Sequence, residues 1–228
     1  MNEDKNIPTN KEIEVLEKVK EMTTFQEFEE YLLANTTGKD LSKIDCSTYV
    51  AAYALLLSDK YAILNGGHSA LEAAKRCQKI IMSMDISFLH IDGAPKNGNE
   101  TERIRKYAST AFVTNSPEMY LMTCLSTFEE LKKLLDAVTS EVENLKTISG
   151  DWYANSFMSL LKEMNRKSHI SDSEAADFIQ CKDIILKMKL YPRHREDLMA
   201  IDKEIRGESG CLSIIIPLVI ISSLFILL

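Results

Sequence analysis

The sequence predicts an all-α protein, a helical bundle made of two related helical units and followed by one C-terminal transmembrane helix. Three observations lead to this prediction: apolar residues recur at three- and four-residue steps, several segments open with helix-capping patterns, and the last 18 residues are apolar and uncharged. The 228-residue chain is 45% apolar and 27% charged, which is typical of a folded domain and excludes an intrinsically disordered chain.

Four helices are predicted before residue 86. A capping-box pattern at Thr9 opens the first helix, which ends near Met22, and another at Thr24 opens the second helix. The apolar run at residues 47–64 is too short and too charged to span a bilayer, so it predicts a core helix, and Ser69 is the predicted cap of the fourth. The buried faces of the second and fourth helices are predicted to contain Phe25, Phe28, Tyr31 and Leu32, and Leu71, Ala74, Cys77, Ile80, Ile81 and Met84, respectively.

The segment at residues 86–99 differs from its surroundings. It begins with a short apolar run and continues as turn-forming residues, so we expect an extended connection rather than a strand with a partner. A further helix is predicted at residues 100–112. Ser116 followed by Pro117 is typical of a helix start, because proline is well tolerated at the first helical position.

The clearest amphipathic pattern follows. Ser126 fits a third capping box, and apolar residues at helical spacing then continue to Ile148, so a single long helix is predicted up to Gly150. Two more helices are predicted at residues 152–167 and 173–189.

One stretch of sequence is repeated about 103 residues later. Residues 24–34 match residues 127–137, and after a one-residue shift matches continue at an offset of 104 as far as Met84 and Met188. The alternative is that any two amphipathic helices match through their common period. A single offset across three helices favours duplication. The further matches are Ile44 with Ile148, Tyr49 with Tyr153, Leu56 and Leu57 with Leu160 and Leu161, Ser69 with Ser173, and residues 77–81 with 181–185.

The predicted organisation therefore has four parts. Residues 1–8 form a disordered N-terminus, residues 9–112 the first helical unit, residues 113–207 the second, and residues 208–228 a membrane segment. Helical units of this kind bury apolar faces against one another and leave surfaces for partners.

The uncharged segment at residues 211–228 predicts a tail anchor. As a helix, 18 residues reach about 27 Å, close to the hydrocarbon thickness of a thin membrane, which favours the endoplasmic reticulum over the outer mitochondrial membrane. Six Lys or Arg against four acids at residues 187–206 place the helical part in the cytosol. Cys211, at the boundary, is a candidate for S-palmitoylation. A buried soluble helix and a removable lipid-anchor signal are the alternatives.

Several classes of function are disfavoured. The net charge of −7, with nine acids and four lysines in residues 1–34, disfavours nucleic-acid binding. The five cysteines are widely spaced and predict neither a disulfide framework nor a zinc site; we expect the first four to be buried thiols. No cofactor or metal motif is present, and no catalytic signature indicates an enzyme.

Trp152, the only tryptophan, marks a possible partner groove together with Tyr153 and Phe157. A helical bundle with a C-terminal anchor resembles apoptosis regulators of the Bcl-2 type. Their Asn-Trp-Gly-Arg motif is absent, because Trp152 is followed by Tyr153 and Ala154, so the sequence does not place the chain in that family.

These observations predict a non-enzymatic, tail-anchored protein in contact with the lipid bilayer, whose cytosolic helices bind an unidentified protein partner. Two alternatives remain. The first is a membrane-tethered enzyme acting on lipid or lipid-linked substrates, with His90 and Asp92 of the 86–99 segment at its site. The second is a Bcl-2-like regulator of cell death or of membranes.

Overall fold

The computed structural model describes residues 21–85, 115–164 and 171–205, together with Lys18 and Arg166. These residues are helical, with no strand among them beyond two isolated parallel bridges, which confirms the all-α fold. The helices are α1 (Phe25–Thr36), α2 (Ser47–Ser58), α3 (Lys60–Leu64), α4 (Gly67–Met82), α5 (Pro117–Cys124), α6 (Phe128–Thr139), α7 (Asp151–Met164), α8 (Asp172–Lys187) and α9 (Pro192–Ile205), with 3-10 turns at Leu41–Lys43 and Leu145–Thr147.

The chain divides into two compact units, Met1–Tyr120 and Leu121–Leu228, called unit 1 and unit 2 below. In unit 1, α1 packs against α4, and α3 packs against α2 and α4. In unit 2, α6, α7 and α8 pack on one another, and α9 packs on α7 and α8. The domain boundaries expected from the sequence stay predictions.

Helix α1 begins at the predicted capping box. Thr24 Oγ1 accepts a hydrogen bond from the Glu27 backbone N–H (3.3 Å), and Glu27 Oε2 accepts one from the Thr24 N–H (3.1 Å). Two of the N–H groups that a helix start leaves unpaired are thereby satisfied. Phe25, Phe28 and Leu32 are buried, as their spacing predicts.

Two predictions for unit 1 need correction. The run at residues 47–64 is not one helix: the chain breaks at Asp59, whose carboxylate accepts a hydrogen bond from Tyr61 N–H (3.1 Å) and caps α3. Ser69 does not cap α4, which begins at Gly67, where a φ of +61° uses the conformational freedom of glycine. Ser69 Oγ instead accepts a hydrogen bond from Gln26 Nε2 (3.1 Å).

The long helix predicted up to Ile148 is wrong, since α6 ends at Thr139. Thr139 Oγ1 donates to the Leu135 carbonyl (2.8 Å), and Asn144 Oδ1 accepts from Lys146 N–H (3.1 Å) to start a 3-10 turn. These side chains offer the backbone an alternative to the helix. Apolar residues keep their helical spacing in the segment after Thr139, although that segment is not part of the α-helix.

The capping residues of unit 2 also differ from those predicted. Thr127, not Ser126, caps α6 by accepting from Glu130 N–H (3.2 Å), and Ser171 caps α8. Helix α9 was not predicted from the sequence at all. Its signal in the sequence is Pro192 at the first helical position, within a segment whose charges indicate only the flank of a membrane helix.

Units 1 and 2 repeat the same local geometry. The parallel bridge between Asp45 and Asp85 recurs 104 residues later between Ser149 and Lys189. Cys77 Sγ donates to the Phe25 carbonyl in unit 1 (3.7 Å), and in unit 2 a thiol again donates to a phenylalanine carbonyl (3.5 Å). Both units carry a 3-10 turn after their first long helix, at Leu41–Lys43 and Leu145–Thr147. Positions 104 residues apart in these segments are therefore structurally equivalent.

One buried group is anomalous. The Tyr53 side chain is fully buried against Phe25, with ring centroids 5.6 Å apart, and burial raises the pKa of its hydroxyl. Within the described residues this hydroxyl has no hydrogen-bond partner. A buried polar group without a partner destabilises the fold. The equivalent residue in unit 2 is Phe157, which has no hydroxyl.

We therefore expect Tyr53→Phe to stabilise the protein by about 1 kcal/mol. The reciprocal Phe157→Tyr change is the control, and it should destabilise unit 2. Urea denaturation followed by circular dichroism measures both. A loss of stability in Tyr53→Phe would show that the hydroxyl makes a hydrogen bond that stabilises unit 1.

Several predictions fall outside the described residues. They are the helix at 9–22 apart from its last residues, the 86–99 segment with His90 and Asp92, the 100–112 helix, Cys211 and the membrane segment at 208–228. Among the helices that the structure does describe, none is both long enough and apolar enough to cross a membrane.

Candidate binding surface

The start of α7 lies beside the segment that joins α8 to α9. Lys189 N–H donates to the Ile148 carbonyl (3.0 Å), and Gly150 N–H donates to the Lys189 carbonyl (2.8 Å). A Cβ on Gly150 would lie 2.8 Å from Met188 Cβ, so the close approach requires glycine. The equivalent bond from Cys46 in unit 1 is longer, at 3.4 Å.

Asp151, the first residue of α7, connects the two segments. Its Oδ1 accepts hydrogen bonds from Tyr191 N–H (2.8 Å) and from His194 Nδ1 (2.8 Å). Partial desolvation raises the pKa of the Asp151 carboxyl, but the bonds from His194 and Tyr191 outweigh it and lower the pKa below its usual value. The ionised carboxylate can only accept, so His194 Nδ1 is the donor. The start of α9 is thus held against the start of α7.

Two aromatic side chains are exposed at this junction. Trp152 is 56% exposed and Tyr191 is 69% exposed. Tyr153 and Phe157, the other two residues of the predicted partner groove, are buried in the core of unit 2. The structure therefore does not bring the three predicted residues together on one surface, and only Trp152 is accessible to a partner.

The segment that joins α8 to α9, and the residues on either side of it, also hold exposed cations. Lys187, Lys189 and Arg193 are exposed, and none forms an ion pair with another residue in the described ranges. Arg195 is different, because its guanidinium donates to the Leu186 and Met188 carbonyls (both 3.2 Å) at the end of α8. We call the group made of Trp152, Lys187, Lys189, Tyr191 and Arg193 the Trp152 surface.

The Trp152 surface is not among the sites predicted from the sequence. The available signal was residues 187–195, in which four Lys or Arg residues and one tyrosine occur without an acid. When the charges are counted over the whole C-terminal flank, residues 187–206, the acids of α9 reduce the excess of positive charge. The link to Trp152 exists only in the fold, through the hydrogen bonds of Asp151.

Unit 1 has an equivalent backbone arrangement but lacks the aromatic and basic side chains of the Trp152 surface. The positions equivalent to Trp152, Lys187 and Lys189 hold Thr48, Ser83 and Asp85. Because unit 1 forms the same parallel bridge with Asp85 at the position of Lys189 and keeps Thr48 and Ser83 close to it in the chain, the bridge does not require tryptophan or lysine at these positions. The aromatic and basic side chains of unit 2 are therefore available for binding.

The three buried cysteines that the structure describes are poor nucleophiles. Burial, the largest contribution, raises the thiol pKa of Cys46 to about 11 and those of Cys77 and Cys181 to about 12. A protonated thiol is a poor nucleophile. The predicted burial is confirmed for these three and wrong for Cys124, which is partly exposed. No group of three or more metal-ligating side chains occurs among the residues the structure describes.

Comparisons of the chain with protein-family models, with curated proteins and with solved structures find no match, so they assign it to no family.

Proposed function

We propose that the chain is a non-enzymatic binding protein attached to a membrane, and that the Trp152 surface of unit 2 makes its contact. The observation that carries the proposal is the exposure of Trp152 and Tyr191 among cations that have no ion pair in the described residues. Tryptophan, tyrosine and arginine are the residues that most often dominate binding energy when they become buried at an interface.

We further propose that units 1 and 2 are copies of one ancestral unit. This is supported by the matching sequence offset and by the bridges, 3-10 turns and cysteine hydrogen bonds that recur about 104 residues apart. After duplication, the core of each copy must be retained for folding, whereas its surface can change. The contrast between Thr48 and Trp152 is a change of this kind.

The proposed attachment is the uncharged segment at residues 211–228, in the endoplasmic reticulum membrane with the helical units in the cytosol. It is supported by composition and by position: α9 ends at Ile205, and only five residues separate it from Cys211. Unit 2, and not unit 1, is therefore next to the bilayer along the chain. Palmitoylation of Cys211 would strengthen the attachment.

Charges placed in this segment test the attachment. We expect Val219→Lys combined with Ile220→Lys to release the protein from microsomes after an alkaline wash, because each charge costs about 3 kcal/mol at the centre of a bilayer. The control, Val219→Ala with Ile220→Ala, keeps the segment apolar and should remain in the membrane pellet. A lysine variant that stays in the pellet would rule out attachment through residues 211–228.

A further inference from the structure

We propose that the Trp152 surface lies against the anionic phospholipid headgroups of the membrane in which the chain is anchored. This inference rests on the proposed membrane attachment and specifies what the surface binds. Unit 2 would then contact the bilayer through its side, in addition to the anchor.

Charge is the first argument. Lys187, Lys189 and Arg193 are three exposed cations within seven residues of a protein whose net charge is −7. The acids near this group are Asp151, which already accepts two hydrogen bonds within the fold, Asp183, which pairs with Lys182, and Glu196 and Asp197, which follow the first turn of α9. Cations close to a membrane are attracted by the negative potential of phosphatidylserine and phosphoinositides.

The aromatic residues are the second argument. Trp152 and Tyr191 expose rings that have an apolar body and a polar edge. Rings of this type are enriched at the level of the lipid headgroups, where one part meets hydrocarbon and the other meets water. A nucleic acid would also attract cations, but the acidic chain and the small number of exposed cations disfavour it.

The position along the chain is the third argument. Helix α9 has 14 residues and is about 21 Å long, and the five residues from 206 to 210 can add at most about 17 Å. The Trp152 surface can therefore reach the same bilayer as the anchor. Unit 1, which is more distant along the chain, carries Thr48, Ser83 and Asp85 at the equivalent positions.

The single tryptophan makes the proposal directly measurable. The full chain is reconstituted in vesicles of phosphatidylcholine, or in vesicles with about one third phosphatidylserine. In both, part of the phosphatidylcholine is brominated near the headgroup, so that it quenches nearby tryptophan. We expect Trp152 emission to fall and to shift to the blue in the anionic vesicles only, and to recover in about 1 M salt, where the Debye length falls to about 3 Å.

A charge-reversing variant tests the role of the lysines without altering the reporter. Lys187→Ser with Lys189→Asp introduces the residues that occupy the same positions in unit 1, so the backbone already accommodates them. Each cation contributes about five-fold to binding, so the ratio of bound to unbound surface should fall at least about 25-fold and the quenching should disappear. The matched control, Lys39→Ser with Lys79→Asp, changes the same charge at two exposed positions of unit 1 and should leave the quenching unchanged.

The possible results separate this inference from the proposed function. If the full chain does not enter vesicles of either composition, the proposed attachment fails. If it enters both but Trp152 is quenched in neither, or equally in both, the attachment stands and binding to anionic lipid is wrong. If addition of an acidic protein protects Trp152 while anionic lipid does not, the surface binds a protein instead. Circular dichroism of each variant verifies that the helices are retained.

Discussion

Replacing Phe157 by alanine is expected to lower the free energy of unfolding of unit 2 by about 3–5 kcal/mol. The Phe157 side chain is fully buried and is one of three phenylalanine rings that all contact one another. Its ring stacks on Phe178 with centroids 5.1 Å apart and meets Phe128 edge-on at 5.2 Å. Truncation to alanine would leave a cavity beside two rings that are held by two other helices, α6 and α8, so the core cannot easily collapse to fill it.

The matched control lies one and a half turns earlier on the same helix. Trp152→Ala removes a larger side chain, but Trp152 is 56% exposed, so the change should alter stability by less than about 0.5 kcal/mol. Urea denaturation of the full chain in mild detergent, followed by circular dichroism, compares the two variants. Equal losses would mean that Trp152 is packed in the core, and the Trp152 surface would then not exist.

The segment that holds Trp152 and Phe157 shows how far the candidate site could be predicted from the sequence. Trp152, Tyr153 and Phe157 are close in sequence, and an amphipathic pattern indicates which of them face the core only when the helix start is known. The structure begins α7 at Asp151 and directs Tyr153 and Phe157 inward. The segment around Lys189 and Tyr191 is held beside the start of α7 by hydrogen bonds of Gly150 and Asp151 that span about 40 residues, which no local pattern contains.

The fold was more predictable than the site, for a physical reason. Helix α1 was predicted from its capping box and from Phe25, Phe28 and Leu32, because both signals are local and agree with each other. The prediction failed where a single signal was used alone. Apolar spacing alone predicts that α6 continues past Thr139, although the Thr and Asn side chains that end the helix can be identified in the sequence.

Replacing Asp202 by alanine is expected to destabilise unit 2 by about 3 kcal/mol. The Lys182 side chain is only 3% exposed, and its Nζ bonds to the Asp202 carboxylate across the contact between α8 and α9. Its other acidic neighbour, Asp183 at 3.4 Å, is 52% exposed and offers a weaker, hydrated partner. Without Asp202, the ammonium group would remain buried with too little compensation for its lost hydration.

Unit 1 provides the comparison for this buried charge. The position equivalent to Lys182 holds Gln78, whose Nε2 donates to the Asn115 carbonyl (2.7 Å). In both units the side chain at this position reaches a later part of the chain, but only unit 2 uses an ion pair. A neutral glutamine at position 182 should therefore be tolerated better than an unpaired lysine.

The decisive measurement compares Asp202→Ala alone with Asp202→Ala combined with Lys182→Gln. Removing both charges eliminates the buried, unpaired ammonium group, so the double variant should be more stable than the single variant. The surface pair of Lys132 and Asp136 is the control, since both residues are partly exposed and Asp136→Ala should cost less than about 0.5 kcal/mol. High salt should change the difference between the single and double variants little, because the two differ only in the buried charge of Lys182, which salt screens poorly. A single variant that is as stable as the double one would mean that water reaches Lys182, and that α9 is not held on α8 by this ion pair.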